Sequence, residues 1–593
     1  MAFYRRTIAA LAWTLCINPV LSGPDRFDFV IVGGGTAGLA VANRLSEISD
    51  ITVAVIEAGK DEGTNPNVTR VDEFGGGLGF STSVDWLYQT TEQVYARGRQ
   101  LEYHQGKAWG GTSTINGMTY IRAEDVQIDA WETLGNPGWN WSSLWPYHLK
   151  SEGFEPPTQP QLAAGASFRG FYHSQDGPVN VAYQDALQNG SLAALANQTW
   201  QRLGVPFNSD ASGGNLRGFF VWPQTLDREA NVREDAARAY YYPVKGRSNI
   251  VILRGHVDKI TWASMKGSKV LAEGVEYTAP DGSVRTLHVD REVIVSAGAI
   301  RSPAILELSG VGNPQLLQGL GIPVKVPLPS VGENGLEQPK NNIRFSSSSS
   351  FNGFTPYASY MTASDILGPK TQAVSTAIAA QLKHWAKQLA AESNNAVSAS
   401  AIERLYQLQH HLIFNLDVPC VEILPQAIGN NVGAGFYILL PFSRGSVHIN
   451  SSDPSTYPSI NPNYFKVNWD LTLQRKTAQT AARFWQTDPI RSLVGERTQP
   501  PPETLPENAT DEQWDAWVVN SFTPNHHLLG TAAMLPLELG GVVDPSLRVY
   551  GTQNVRVIDA SVFPSQISGH LTSAIYAVAE RAAEIIKREM GML

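Results

Sequence analysis

The chain has 593 residues, too many for one ordinary hydrophobic core, so more than one folding unit is expected. A formal net charge of −9 with a pI near 5.8 argues against nucleic acid and anionic lipid surfaces as partners. The two cysteines are Cys16, within the leader described next, and Cys420, which leaves no pair for an internal disulfide.

At the N-terminus, Arg5 and Arg6 precede a short apolar run over residues 8–17, and Val20-Leu21-Ser22 offers a cleavage site. This pattern predicts a secretory signal over residues 1–22, because the run is too short to span a bilayer. No later segment is long and apolar enough to cross one, so no membrane partner is expected. Asn67, Asn140, Asn189, Asn197, Asn450 and Asn508 each open an N-x-S/T triplet. Several such sequons behind a leader fit a secreted, N-glycosylated protein, with the cell wall or the secretory and vacuolar compartments as alternative destinations.

Residues 27–57 read as strand, turn, helix and strand. Residues 29–32 are continuously apolar, as in a strand buried on both faces. Gly33-Gly34-Gly35-Thr36-Ala37-Gly38 follows directly and matches G-x-G-x-x-G. In that pattern Gly33 allows the tight turn, Gly35 lets a pyrophosphate approach the backbone, and Gly38 lets helix and strand pack closely. Thr36 and Ala37 then open a helix whose free N–H groups suit phosphate. Glu57 ends the second strand, where a carboxylate can bind ribose hydroxyls. These features together predict dinucleotide binding. The glycines alone do not separate NAD from FAD; export favours a tightly held flavin over a diffusible nicotinamide.

Further along, residues 347–350 form a serine run expected to be a loop, and residues 371–391 are alanine-rich and helical in character. His410 and His411 lie in leucine-rich surroundings that suggest helix packing. Residues 555–560 read as a buried strand ending in Asp559 and Ala560, and residues 571–587 carry an amphipathic closing helix.

Two long stretches resemble the signatures of the glucose-methanol-choline (GMC) oxidoreductase family. One is Gly106-Lys107-Ala108-Trp109-Gly110-Gly111-Thr112-Ser113-Thr114-Ile115-Asn116; the other runs from Gly298-Ala299-Ile300-Arg301-Ser302-Pro303 to Leu308-Ser309-Gly310-Val311-Gly312. The branch represented by fungal FAD-dependent glucose dehydrogenases and oxidases is similar over residues 112–125, 232–238 and 460–465. The resemblance implies an α/β fold: a Rossmann-like FAD-binding domain joined to an α+β substrate domain of sheet and helix. The corresponding division is residues 23–340, mainly FAD-binding; 341–440, a substrate or cap region; and 441–593, with the catalytic histidines and the closing helix. Gly111, Thr112, Ser113 and Asn116 are expected to contact flavin or phosphate, Val257 to meet the adenine through its backbone, and Asp559 and Ala560 to touch the flavin's sugar-alcohol chain. Some family members attach flavin through a histidine in the first signature; Ile115 stands at that place, so the FAD is expected to be non-covalent. No metal site is expected.

His527, which opens His527-Leu528-Leu529-Gly530-Thr531, and His570, in Ser568-Gly569-His570-Leu571-Thr572, resemble the family's two catalytic positions. A neutral imidazole suits removal of an alcohol's hydroxyl proton, with the carbon-bound hydrogen leaving as hydride. Of the adjacent His526 and His527, only one is expected to face the flavin, and the H-x-x-G-T spacing favours His527. Asn525 matches a sugar-contacting asparagine, but Thr523 stands where glucose-specific relatives carry arginine. The expected substrate is therefore a small alcohol or cyclic hemiacetal, such as an intermediate of fungal secondary metabolism. Glucose is the alternative and cyanohydrin cleavage a further one. The electron acceptor is O2 or a quinone-like mediator.

Overall fold

The computed structural model describes residues 25–71, 79–188, 192–263 and 269–592, so the expected leader and the sequon at Asn189 lie outside it. Strand β1 (Arg26–Val32) leads through the glycine turn into helix α1 (Thr36–Leu45) and strand β2 (Val53–Glu57), which pairs with β1 in parallel. Val30 and Ile31 point to opposite faces of β1 and both are fully buried, as a strand covered on two sides requires. Strand β3 (Gly218–Val221) belongs to a second sheet. Strand β4 (Ile250–Arg254) extends the first sheet in parallel beyond β2. Strands β5 (His256–Trp262), β6 (Ala272–Thr278) and β7 (Val284–Val295) form an antiparallel meander whose last half returns alongside β1 in parallel. Helix α2 (Gly298–Leu308) follows directly.

The second sheet is antiparallel throughout. Strands β8 (Pro339–Phe351), β9 (Tyr357–Met361), β10 (Val421–Ile438), β11 (Arg497–Gln499) and β12 (Thr523–Pro524) join β3 in it. Its strands thus come from residues well before 341 and well after 440. β10 folds back at Gly429 (φ +52°), so the Leu439 N–H donates to the Cys420 carbonyl at 2.7 Å. One face of β8 packs on the helix Asn468–Trp485, where Gln474 donates to the Asn341 side-chain carbonyl at 2.9 Å. By strand alternation the neighbouring Lys340 and Asn342 turn the other way, into the cavity between the sheets.

Strand β13 (Val555–Val557) pairs in parallel with β7, and helix α3 (Leu571–Glu589) packs on α1, joined to it by the Arg44–Glu580 ion pair at 2.7 Å. The expected closing strand and helix are both present. The alanine-rich stretch forms two helices, Thr371–Ala379 and Leu382–Glu392, and His410 lies in the helix Ala399–Phe414, bonded to Ser375. The serine run is not a loop but part of β8. Ser346 N–H donates to the Glu496 carbonyl at 2.8 Å and Ser347 Oγ to the Leu493 carbonyl at 2.6 Å, so pairing with a distant segment overrides the weak strand preference of serine.

Candidate active site

A cavity of about 550 Å³ lies between the two sheets. At one end the glycine turn, the first turn of α1, Glu57 and Val257 form its wall. Gly33 has φ +103°, and a Cβ there would stand 2.5 Å from the Ser296 carbonyl oxygen, so the turn requires glycine. Gly35 borders open space: an added Cβ would meet nothing nearer than Gly111 Cα at 3.7 Å. Gly38, expected among the cofactor-binding residues, is not in the wall. Its Cβ would lie 2.1 Å from the Gly33 carbonyl oxygen, so it serves the packing of α1 on the turn.

The Glu57 carboxylate accepts the Gly34 N–H at 2.9 Å and the Gly59 N–H at 2.7 Å. Burial raises its pKa while these backbone donors oppose the rise. Asp559 accepts the Gly298 N–H at 2.9 Å and the Ser302 hydroxyl, and Ala560 lies beside it in the wall. The Tyr88 hydroxyl is buried at this end with no hydrogen-bond partner among the described residues. An open glycine turn at a helix N-terminus, fixed carboxylates and an orphaned donor fit a dinucleotide such as FAD.

The turn Gly111–Thr114 faces Gly35 across the cavity floor. Three side chains expected to reach cofactor oxygens are engaged within the chain. Ser113 donates to the Gly110 carbonyl at 2.6 Å and accepts the Ala236 N–H at 2.9 Å. Thr112 donates to Gln105 at 3.1 Å. Asn116 donates to Thr572 at 3.2 Å and accepts from Met118 N–H and the buried Arg233 guanidinium. All three line the cavity, but these bonds make them braces of the turn, since buried polar groups need partners. Ile115 packs with Val68, Val84 and Phe80 and offers no nucleophile to a flavin.

At the far end His527 and His570 meet, ring centroids 5.2 Å apart and nearly perpendicular. The His527 N–H donates to Glu337 at 3.1 Å, and Nδ1 lies 2.9 Å from Gln338 Oε1. Nδ1 also lies 2.9 Å from Asn525 Nδ2, so the Gln338 oxygen suits the Nδ1–H tautomer while the Asn525 amide, which can only donate, suits the other; Nε2 has no hydrogen-bond partner among the described residues. Asn525 donates to the same Gln338 oxygen at 2.9 Å, so its NH2 group orients the histidine pair rather than standing free. Burial, then repulsion from His570 and Lys340, drives the His527 pKa well below its ordinary value.

His570 caps the start of α3, its Nε2 lying 3.2 Å from both Glu422 Oε1 and Tyr437 Oη. Tyr437 in turn donates to the other oxygen of Glu422. Glu337 accepts from the Tyr103 hydroxyl, and burial lifts its pKa to about 8 against the backbone donors it binds. Neighbouring histidines were expected to diverge, yet both His526 and His527 reach the wall, because His526 has a left-handed backbone (φ +65°). The His526 ring packs against His104, and burial lowers its pKa to about 3.

Sequence reasoning missed Gln338, Glu337, Glu422, Tyr437 and Lys340. Lys340, Glu422 and Tyr437 are placed by strand pairing, and Glu337 and Gln338 by the segment leading into β8. Of the sequons, Asn67, Asn450 and Asn508 are exposed. Asn197 is partly buried in the helix Leu192–Arg202, and Asn140 caps the helix Trp141–Ser151 while donating to Glu132 at 2.8 Å.

Two family models described as GMC oxidoreductase match residues 27–340 and 441–579. The glucose oxidase-like protein fsoC of Humicola fuscoatra is 49% identical over 98% of this chain and 99% of its own length. A glucose oxidase of Penicillium chrysogenum is 34% identical, over 96% of this chain and 94% of its own. Among solved structures, an FAD-dependent oxidoreductase from Chaetomium thermophilum superposes with a TM-score of 0.84 at 30% identity, covering 96% of this chain and all of that one (100%). A fungal aryl-alcohol oxidase gives the same TM-score, 0.84, at 26% identity, with 96% and 100% coverage. The chain therefore belongs to the GMC oxidoreductase family and is an FAD-dependent enzyme acting on CH–OH donors.

Proposed function

We propose that this enzyme oxidises a small primary alcohol or a cyclic hemiacetal, with His527 Nε2 accepting the hydroxyl proton. The carrying observation is the meeting of His527 and His570, 43 residues apart in sequence, on one wall of the cavity that also holds the glycine turn. FAD, when bound, supplies the hydride acceptor; Gly33, Gly35, Glu57 and Asp559 would hold it, without a covalent link at Ile115. In this reading His527 carries its proton on Nδ1, toward the Gln338 oxygen, which leaves Nε2 basic, and the lowered pKa of His527 keeps it neutral at physiological pH. His570, bonded to Glu422 and Tyr437, accepts or donates a hydrogen bond at the same alcohol oxygen. The start of α3 adds a partial positive charge to that wall. Loss of the proton and the hydride converts an alcohol to its aldehyde and a hemiacetal to its lactone.

Glucose is the second reading, supported by the 34% identity to a glucose oxidase. Against it, Thr523 offers a single exposed hydroxyl and the Asn525 NH2 is engaged by Gln338. Two further elements of the reading are export as a glycoprotein and reoxidation by O2 or a quinone-like mediator. The test is anaerobic mixing of holoenzyme with aromatic, aliphatic and lactol substrates and with glucose. Bleaching of the flavin by a non-sugar alcohol or lactol is expected. A protein bleached by none of them that cleaves cyanohydrins would overturn the assignment. Peroxide release measured beside dye reduction identifies the acceptor.

A further inference from the structure

Lys340 and Asn342 lie on the cavity-facing side of β8 and exchange no proton in the reaction above; the Lys340 charge enters it only by helping to lower the His527 pKa. Lys340 is paired across the sheet with Tyr437 on one side and Thr523 on the other, which sets it beside the catalytic end. Its ammonium has no hydrogen-bond or ion-pair partner among the described residues, and neither has the Asn342 carboxamide. The carboxylates in the cavity wall, Glu57 and Asp559, are both at the nucleotide end and both bonded to the chain. On the catalytic side Glu337 is bonded to Tyr103 and the His527 N–H, and Glu422, whose charge favours the Lys340 ammonium, is bonded to Tyr437 and His570. The other cation in the wall, Arg301, is satisfied by His256 and the Pro454 carbonyl.

An ammonium withdrawn from bulk water without a partner is costly, and an adjacent free amide donor sharpens the demand for an acceptor. We infer that Lys340 and Asn342 form a carboxylate-binding subsite and that the alcohol oxidised here carries a carboxylate remote from its reacting carbon. The inference rests on the oxidation reading above and narrows its substrate class to hydroxy acids. The ammonium supplies an ion-paired hydrogen bond to one carboxylate oxygen, and the amide N–H donates to the other, charged oxygen.

The test uses holoenzyme and matched pairs: 4-(hydroxymethyl)benzoate and its methyl ester, and ω-hydroxy acids of increasing length with theirs. Anaerobic flavin reduction gives kcat/KM for each, and the perturbation of the flavin spectrum by non-reacting benzoate and benzamide gives binding. The wild-type enzyme is expected to prefer acid over ester in at least one pair and benzoate over benzamide. Lys340→Met should lower the acid-to-ester ratio by roughly ten- to a hundred-fold, and benzoate affinity in proportion, with Lys340→Arg retaining part of both. A wild-type preference for the esters, or an equal loss on acid and ester in Lys340→Met, would overturn the subsite. Should Lys340→Met fail to hold FAD, the wild-type acid preference and benzoate binding still decide. Lys340-dependent benzoate binding with no bleaching by any alcohol would instead sink the oxidation reading and leave the subsite standing.

Discussion

At the scale of single residues, the role proposed for His527 requires an imidazole that is a base without being a cation. Under the proposed reading the Gln338 oxygen takes the Nδ1 proton, and burial with neighbouring positive groups suppresses the second proton. His527→Ala is expected to slow flavin reduction by about 10²–10⁴-fold, the usual worth of a positioned base, while the purified variant stays yellow. Stopped-flow reduction beside the visible spectrum checks both halves; a variant that loses colour with activity would point to a structural role. The depressed pKa also fixes a sign. Because the neutral form persists below the ordinary value of about 6.5, the reduction rate should hold level from about pH 8 down to about pH 6 and fall only at more acid pH. A half-maximal rate near or above 6.5 would contradict this assignment. Glu337 belongs to the same scale: its pKa of about 8 keeps it largely protonated at neutral pH, so it braces the His527 loop without adding negative charge beside it.

At the scale of elements, the turn between β1 and α1 is packed so closely that it leaves no room for a side chain at Gly38. Gly38→Ala would place its Cβ 2.1 Å from the Gly33 carbonyl oxygen, a backbone atom that no rotamer change can move. Prising α1 from the turn is expected to cost about 3 kcal/mol or more. The variant should appear with a lowered Tm and a reduced ratio of flavin to protein absorbance; a wild-type Tm would show that α1 shifts freely. A second element contact is pH-sensitive. His448 lies 2.7 Å from Glu307 of α2 and 3.3 Å from Glu333 in the segment leading to β8. Burial pulls its pKa down, but the two carboxylates prevail and raise it to about 10. A folded pKa above the unfolded value of about 6.5 means that the stabilisation is complete below that pH and is lost as pH rises through about 10. The wild-type Tm should therefore drop on the alkaline side, and His448→Gln should begin lower at neutral pH and lose much of that alkaline drop. Parallel alkaline limbs in melting scans of the two proteins would refute this linkage.

At the scale of the whole molecule, the catalytic site exists because two sheets built from scattered segments close on each other. The first sheet grows around a local unit, β1-α1-β2, whose apolar run, glycines and terminal acid are consecutive in sequence. That is why the strand, glycine turn, helix and second strand ending at Glu57 were legible as a unit. The signature segments and the two histidines were likewise legible as patterns. Contacts made across the fold were not. The serine run joins β8 because residues 493–497 supply its backbone partners. His526 reaches the cavity because one left-handed residue turns the chain. Ser113 and Asn116 are spent on Ala236, Arg233 and Thr572, all distant in sequence. Lys340 stands out only once strand pairing shows that the catalytic end has no carboxylate of its own in the wall. By itself the sequence determined the nucleotide-binding unit, the pair of candidate imidazoles and the family, because each rests on residues close together along the chain or on long contiguous patterns. The tertiary structure alone decided which polar side chains are already satisfied and which still face the cavity with bonds to give, because hydrogen-bond satisfaction depends on neighbours that only folding brings within 3 Å or so.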